Sequence, residues 1–205
     1  MKKQKTISFL GWILYFVILV FALYTGFLCQ FVYNEIGFLL LLIVGFGAVI
    51  LANTGKTSIR GKLLSPNALK MFLGLYGVIL LILLFGIRYS AGQVEIGFSS
   101  DYIKNNSNWI PFTTIRNNLN THSWKILIGN LLLFLPIGAL CPMIWKAQRK
   151  KRYFFGMMLI MSLLIERIQV ITGLGSFDID DMICYLIGSV FGFMLWVMIE
   201  RRSKT

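Results

Sequence analysis

The stretch from Tyr153 to Ile199, YFFGMMLIMSLLIERIQVITGLGSFDIDDMICYLIGSVFGFMLWVMI, decides the fold. It is two apolar runs, Tyr153–Thr172 and Met182–Ile199, joined by a turn that contains two glycines. Each run is close to the roughly 20 residues that a helix needs to cross a bilayer. Charge is nearly absent from both. Yet Glu166, Arg167, Gln169, Asp178, Asp180 and Asp181 gather where they meet. Charge within or beside a membrane is costly and usually functional. This junction is therefore the first place to look for what the chain does.

Four more runs extend the pattern toward the N-terminus: Ile7–Leu28, Ile36–Ala52, Leu69–Ile87 and Ile126–Trp145. The six span about 17–22 residues each, and the second is the shortest. The composition agrees. Hydrophobic residues make up 57% of the chain and charged ones only 14%, with a mean hydropathy of +0.75. A soluble domain carries roughly 25% charged residues. The chain is read as an all-α, polytopic transmembrane bundle of six helices. A closed barrel is disfavoured, because its strands would alternate apolar and polar over about 10 residues. The organisation expected is a three-helix membrane region over 1–90, an extracellular loop over 91–125 and a three-helix membrane core over 126–205.

The first run begins like a signal peptide, with Lys2, Lys3 and Lys5 before apolar residues. It is too long for one and lacks a clear cleavage site, which makes it an uncleaved helix. Cys29, Cys141 and Cys184 have no paired spacing and suggest neither a disulfide framework nor a metal site. A lone His122 cannot build a metal cluster, which needs several convergent ligands. It is read as an interfacial polar residue.

The basic residues give an orientation. Lys2, Lys3 and Lys5, then Lys56, Arg60, Lys62 and Lys70, then Lys146, Arg149, Lys150, Lys151 and Arg152, then Arg201, Arg202 and Lys204 fall on one side of a six-span chain. Arg88, Lys104, Arg116 and Lys125 fall on the other. The positive-inside rule makes the richer side cytoplasmic, with both termini inside. The net charge of +12 is thus explained by helix orientation and anionic lipid. It forms no stripe with interleaved stacking aromatics, and a nucleic-acid groove is rejected. Membrane lipids are the partners this composition implies.

On the outer side, Asn108-Trp109-Ile110-Pro111-Phe112 follows the chain's one large polar stretch. Proline disfavours helix just before it. The segment is expected as an extended turn whose Trp, Ile and Phe dip into the outer interface, or simply as a loop with an aromatic anchor. The fourth run carries Asn130, Pro136 and Pro142. Asn130 lies about 6 Å deep at 1.5 Å per residue and needs a polar partner. Pro136 is expected to kink the helix. In the fifth run Glu166 and Gln169 are three apart and share a face, while Arg167 points about 100° away. Arg167 is expected to snorkel to the outer head groups, and Glu166 to face the bundle interior. One of Asp178, Asp180 and Asp181 is explained by the start of the sixth helix, where acids satisfy free amides. Three beside a buried glutamate are not, and clustered acids mark functional sites. Gly188 and Gly192 form a small-xxx-small pair that allows close helix approach.

These blocks resemble a known family. Asn108-Trp109-Ile110-Pro111-Phe112, then Gly129-Asn130 with Phe134, Pro136, Gly138 and Pro142, then Glu166 and Gln169, then Phe177-Asp178-Ile179-Asp180-Asp181 with Gly188 and Gly192 are similar to the VanZ-like family, in the right order and spacing over about 108–199. One departure is Tyr185, where such proteins usually carry Asn. The resemblance implies a bacterial, multi-pass plasma-membrane protein with a link to resistance to teicoplanin and other glycopeptide antibiotics.

Four functions follow as expectations. The first is non-catalytic binding of a lipid-anchored amphiphile, a lipoglycopeptide or a lipid-linked wall precursor, at the outer leaflet. Its polar head would meet Asn130, Glu166, Gln169, Asp178, Asp180 and Asp181, supported by Pro111, Phe112, Pro136 and Arg167. The second is a membrane-embedded enzyme on such a precursor, with Glu166 and an aspartate as acid and base or holding a divalent cation. Ser176 has no nearby His for a triad. No resident cofactor is expected. The third is transport, which usually shows internal repeats and mid-membrane sites. The fourth is an assembly subunit whose acids merely pair with Arg167 or Arg116.

Overall fold

The computed structural model describes residues 2–29, 35–53, 64–86, 89 and 100–202. The expected inner-loop residues Lys56, Arg60 and Lys62, together with Arg88 and Lys204, lie outside the described residues. So do the side chains of Lys2, Lys3, Cys29 and Arg202. The chain forms two compact units, Met1–Gly92 and Gln93–Thr205.

The first unit is built from α1 (Lys2–Tyr24), α2 (Glu35–Ala52) and α3 (Pro66–Leu81), with π-helical turns Thr25–Cys29 and Ile82–Gly86 closing α1 and α3. Its core is apolar and includes Ile18, Ala22, Val49, Met71, Leu75 and Ile79. Several of its described polar groups serve helix ends. Ser65 caps α3 by accepting from the Ala68 amide (3.2 Å), and Pro66 occupies the first helical turn, where its missing N–H costs nothing. The Ser65 hydroxyl also donates to Asn53 Oδ1 (2.8 Å), and Asn53 Nδ2 donates to the Val49 carbonyl (2.9 Å). Tyr15 donates to the Met71 carbonyl (2.7 Å), tying α1 to α3.

The second unit contains α4 (Ser100–Asn105), β1 (Ser107–Asn108), α5 (Thr113–Asn120), α6 (Trp124–Ile144), a 3-10 turn (Lys146–Arg149), α7 (Lys151–Thr172), β2 (Phe177–Asp178) and α8 (Ile179–Arg202). The segment expected as a 91–125 loop is therefore largely structured from Ser100 onward. Its polar sequence has no membrane signature, so hydropathy is blind to its short helices. α6 runs through Pro136 and Pro142 as one helix. Gly188 and Gly192 bring α8 against α6. A Cβ at either position would overlap a backbone carbonyl of α6, at Leu131 or Leu135 respectively. A side chain on α6 at Gly138 would likewise strike Ser189 of α8. The expected small-residue contact is thus present, and α6 is its partner.

Among the described residues, helices coincide with all six apolar runs. Five of them, including α1, α3, α6, α7 and α8, are long and apolar enough to cross a membrane, and α2 contributes a shorter apolar stretch, Ile43–Ala52. Their outward faces are greasy. Phe9, Phe16 and Val20 on α1, Ile160 and Leu164 on α7, and Phe191 and Met194 on α8 are all exposed, while Ser162, Glu166 and Ser189 are buried. Water-soluble proteins place charge outside and grease inside. The reverse arrangement is what a lipid environment selects. The protein is an all-helical membrane protein.

Candidate functional site

The junction of α7 and α8 is built by periodicity first. Phe154, Met158, Ser162, Glu166 and Val170 are buried at strict four-residue spacing, one stripe along α7. Such spacing puts side chains on one helix face, so Glu166 points into the bundle. α7 then stops at Gly173, whose left-handed conformation (φ 65°) ends the helix without the strain a side chain would add. The Gly175 amide donates back to the Gln169 carbonyl (3.2 Å), and Leu174 and Phe177 turn inward.

The chain next forms β2, which pairs in parallel with β1 in the register Ser107 to Phe177 and Asn108 to Asp178. The Phe177 amide donates to the Asn106 carbonyl (3.0 Å). Glu166 holds the other side of the strand, its Oε2 accepting from the Asp178 amide (2.7 Å). Glu166 is fully buried, and its Oε1 completes no hydrogen bond. The Tyr185 hydroxyl interacts with the same carboxyl. Tyr185 is itself buried and stacks on Phe134 of α6, with ring centroids 4.7 Å apart. Tyr185 thus fills the space between α6, α7 and α8 with a ring.

Asp178 is a hub. Its Oδ1 accepts from Asn108 Nδ2 (3.1 Å) and from the Asp180 amide (2.9 Å), and its Oδ2 accepts from the Thr114 hydroxyl (2.6 Å). The bond to Asp180 caps α8 at its second residue, so the expected helix-capping aspartate is this one. The other two bonds reach into the 106–115 segment.

Asp180 caps a different helix. Residue Phe112 stands at the N-cap of α5 and offers no side-chain acceptor. Asp180 provides both: Oδ1 accepts from the Phe112 amide and Oδ2 from the Ile115 amide (3.1 Å). Phe112 is also left-handed (φ 67°). That conformation costs a non-glycine residue of order 1–3 kcal/mol and persists only where its surroundings impose it. Two buried aspartates supply that imposition, with Asp178 7% and Asp180 1% exposed.

The result is a fixed loop that displays apolar side chains. Trp109, Ile110 and Phe112 are 51%, 69% and 63% exposed, and Pro111 is exposed between them. Trp109 stacks on buried Phe177 at 4.2 Å. The Arg167 guanidinium lies over both rings, 5.8 Å from Trp109 and 5.5 Å from Phe177. Arg167 clamps the aromatic pair through cation–π attraction. The expectation that the acids serve only to pair with Arg167 or Arg116 does not describe Asp178 and Asp180, whose oxygens take amides and a hydroxyl instead.

Of the residues singled out from sequence, Glu166, Asp178 and Asp180 form one connected buried network. Asp181 joins it from the side, with the Asn130 amide of α6 donating to its Oδ1. Both Asn130 and Asp181 are half-buried, as is Gln169. Pro136 lies farther along α6. Asn108, Thr114 and the amides of Phe112 and Ile115 belong to the site and were not singled out. Asn108 had appeared only as part of a motif. No spacing rule links it to an aspartate seventy positions away, and backbone amides leave no trace in a sequence.

Comparison with known proteins bears out the family resemblance. The profile of the family described as VanZ/LLP1 matches residues 72–200. The match begins within α3, well before Asn108, so the relatedness extends farther upstream than the polar motifs. Protein VanZ of Enterococcus faecium is 29% identical over 144 residues, covering 70% of this chain and 80% of that protein. No solved structure matches.

Proposed function

The chain belongs to the VanZ/LLP1 family, and from that premise we propose that it is a multi-pass protein of the bacterial plasma membrane that lowers susceptibility to teicoplanin and related lipoglycopeptides. It does so by engaging a lipid-anchored amphiphile, antibiotic or wall precursor, at the outer leaflet. The observation that carries this reading is the braced 106–115 loop. Four apolar residues, Trp109, Ile110, Pro111 and Phe112, are held outward by buried carboxylates. At the same α7–α8 junction are the half-buried polar groups Asn130, Gln169 and Asp181, with Asn130 bonded to Asp181. An exposed apolar edge next to polar groups is complementary to a molecule with an acyl chain and a hydrogen-bonding head. Orientation supports the outer leaflet, since the basic Lys146–Arg152 segment lies at the opposite end of α7 and marks the inner side.

In this reading the carboxylates divide their labour. Glu166, Asp178 and Asp180 shape the loop, and Asn130, Gln169 and Asp181 meet the head group. Catalysis by paired carboxylates on a lipid-linked precursor has less support. Asp178 already accepts three hydrogen bonds and Asp180 two, all from the protein. Few of their lone pairs remain for a substrate or a divalent cation.

Drug susceptibility after deletion and complementation tests the proposal. Glu166→Gln and Asp181→Asn should each abolish the teicoplanin phenotype at unchanged membrane abundance, and Trp109→Ala with Phe112→Ala should do the same. Full resistance in all three would remove the assignment.

A further inference from the structure

At the far end of the α7–α8 pair, about 30 Å from Asp180 along α8 at 1.5 Å per residue, a groove of about 720 Å³ opens on the flank of the bundle. Arg149, Lys151 and Arg201 rim it, and Phe155, Phe193 and Val197 line its apolar part. The volume lies within the roughly 300–1,000 Å³ of small-molecule sites. Arg149 is already committed. Its Nε donates to the Pro142 carbonyl (3.1 Å), its Nη1 pairs with Glu200 (3.5 Å), and its guanidinium lies 5.7 Å from the Trp196 ring. It forms a fixed wall. Lys151 and Arg201 are different: both are exposed, and among the described residues neither side chain makes a hydrogen bond or an ion pair.

We propose that this groove binds an anionic phospholipid of the bilayer, with its phosphate between Lys151 and Arg201 and an acyl chain along Phe155, Phe193 and Val197. Two features select that occupant. The cations are confined to one end, while the apolar surface continues away from them over exposed Met194 and Met198. A free anion has no use for that continuation, and a neutral lipid has no use for the cations. The polarity also matches a leaflet, because the cations sit at the helix ends, where head groups lie, and the apolar part faces the hydrocarbon. Basic pockets between membrane helices are suited to anionic head groups, and each nearby Lys or Arg strengthens binding roughly fivefold. The site is separate from the acidic junction and uses none of its residues.

Native mass spectrometry of the purified full chain tests this. The protein is delipidated and offered phosphatidylglycerol and phosphatidylcholine with identical chains. One phosphatidylglycerol should be retained in preference. Lys151→Gln with Arg201→Gln should lower that preference roughly 25-fold, whereas Lys146→Gln, a basic residue of the same end that does not line the groove, should leave it unchanged. Val197→Trp should abolish retention by filling the apolar part. Thermal unfolding confirms that each variant is folded, and Lys151→Gln alone, an exposed change, carries the test if the double variant is not. Equal retention of the two lipids, or a preference untouched by the charge changes, would overturn the proposal. So would millimolar inorganic phosphate displacing the lipid, which would make the site a simple anion patch.

Discussion

The two ends of the α7–α8 pair handle charge in opposite ways. At the acidic end Glu166, Asp178 and Asp180 are buried and accept six hydrogen bonds between them, all from the protein. At the basic end Lys151 and Arg201 stand exposed at the mouth of an apolar groove. The contrast follows from side-chain length and hydration. A short buried carboxylate near the membrane cannot reach water, so its hydrogen bonds come from the protein, here four backbone amides, the Asn108 side chain and the Thr114 hydroxyl. A long Lys or Arg keeps its stem in the apolar layer and its head at the interface. The acids therefore shape the protein, and the bases face its surroundings.

Four changes would break or sharpen that contrast. The largest effect belongs to Gly188→Leu. A side chain there meets the Leu131 carbonyl, which belongs to a helix backbone and cannot step aside. Destabilisation should exceed about 4 kcal/mol, visible as loss of folded protein in detergent. It would separate α8 from α6 and pull Asp181 from Asn130. A stable, folded variant would contradict the close packing.

Asp180→Ala comes next. It removes the acceptor for two amides at the start of α5 and releases the left-handed Phe112. Leaving such donors unsatisfied costs about 1–3 kcal/mol each, so a loss of about 2–6 kcal/mol is expected from thermal unfolding. Asp180→Asn, which keeps one acceptor oxygen, should lose less. Equal losses would mean that shape rather than hydrogen bonding holds the loop.

Arg167→Gln should be milder, about 0.5–1 kcal/mol, the usual worth of an exposed cation–π contact. Trp109 fluorescence should report a more mobile ring, and the variant Arg167→Lys should recover part of the effect. At the basic end Arg201→Gln should change stability by less than about 0.5 kcal/mol, as surface changes do, while altering lipid preference. A large stability loss there would erase the distinction between the two ends.

Hydropathy made the helices legible because each apolar run had to be long enough to span a membrane, and length is a one-dimensional property. It also located the acidic junction, since carboxylates stand out in so apolar a chain. Gly188 and Gly192 announced close packing by spacing alone. What stayed hidden was the use to which the acids are put. Asp180 acts on residues sixty-odd positions upstream through the amides of Phe112 and Ile115, which every residue but proline possesses, and Asp178 reaches the Asn108 and Thr114 side chains just as far away. A parallel pair of two-residue strands, Ser107–Asn108 with Phe177–Asp178, is too short to show any periodicity. The short helices α4 and α5 were equally silent, because their polar faces carry no apolar rhythm and α5 takes its cap from another part of the chain.

Backbone amide exchange at Phe112 and Ile115 in a lipid nanodisc tests the central claim most directly. Both amides should exchange slowly in the wild-type protein and lose that protection in Asp180→Ala, while the mid-helix amides of α7 stay protected in both. Rapid exchange at these two amides in the wild type, or protection that survives the substitution, would contradict a loop braced by buried carboxylates.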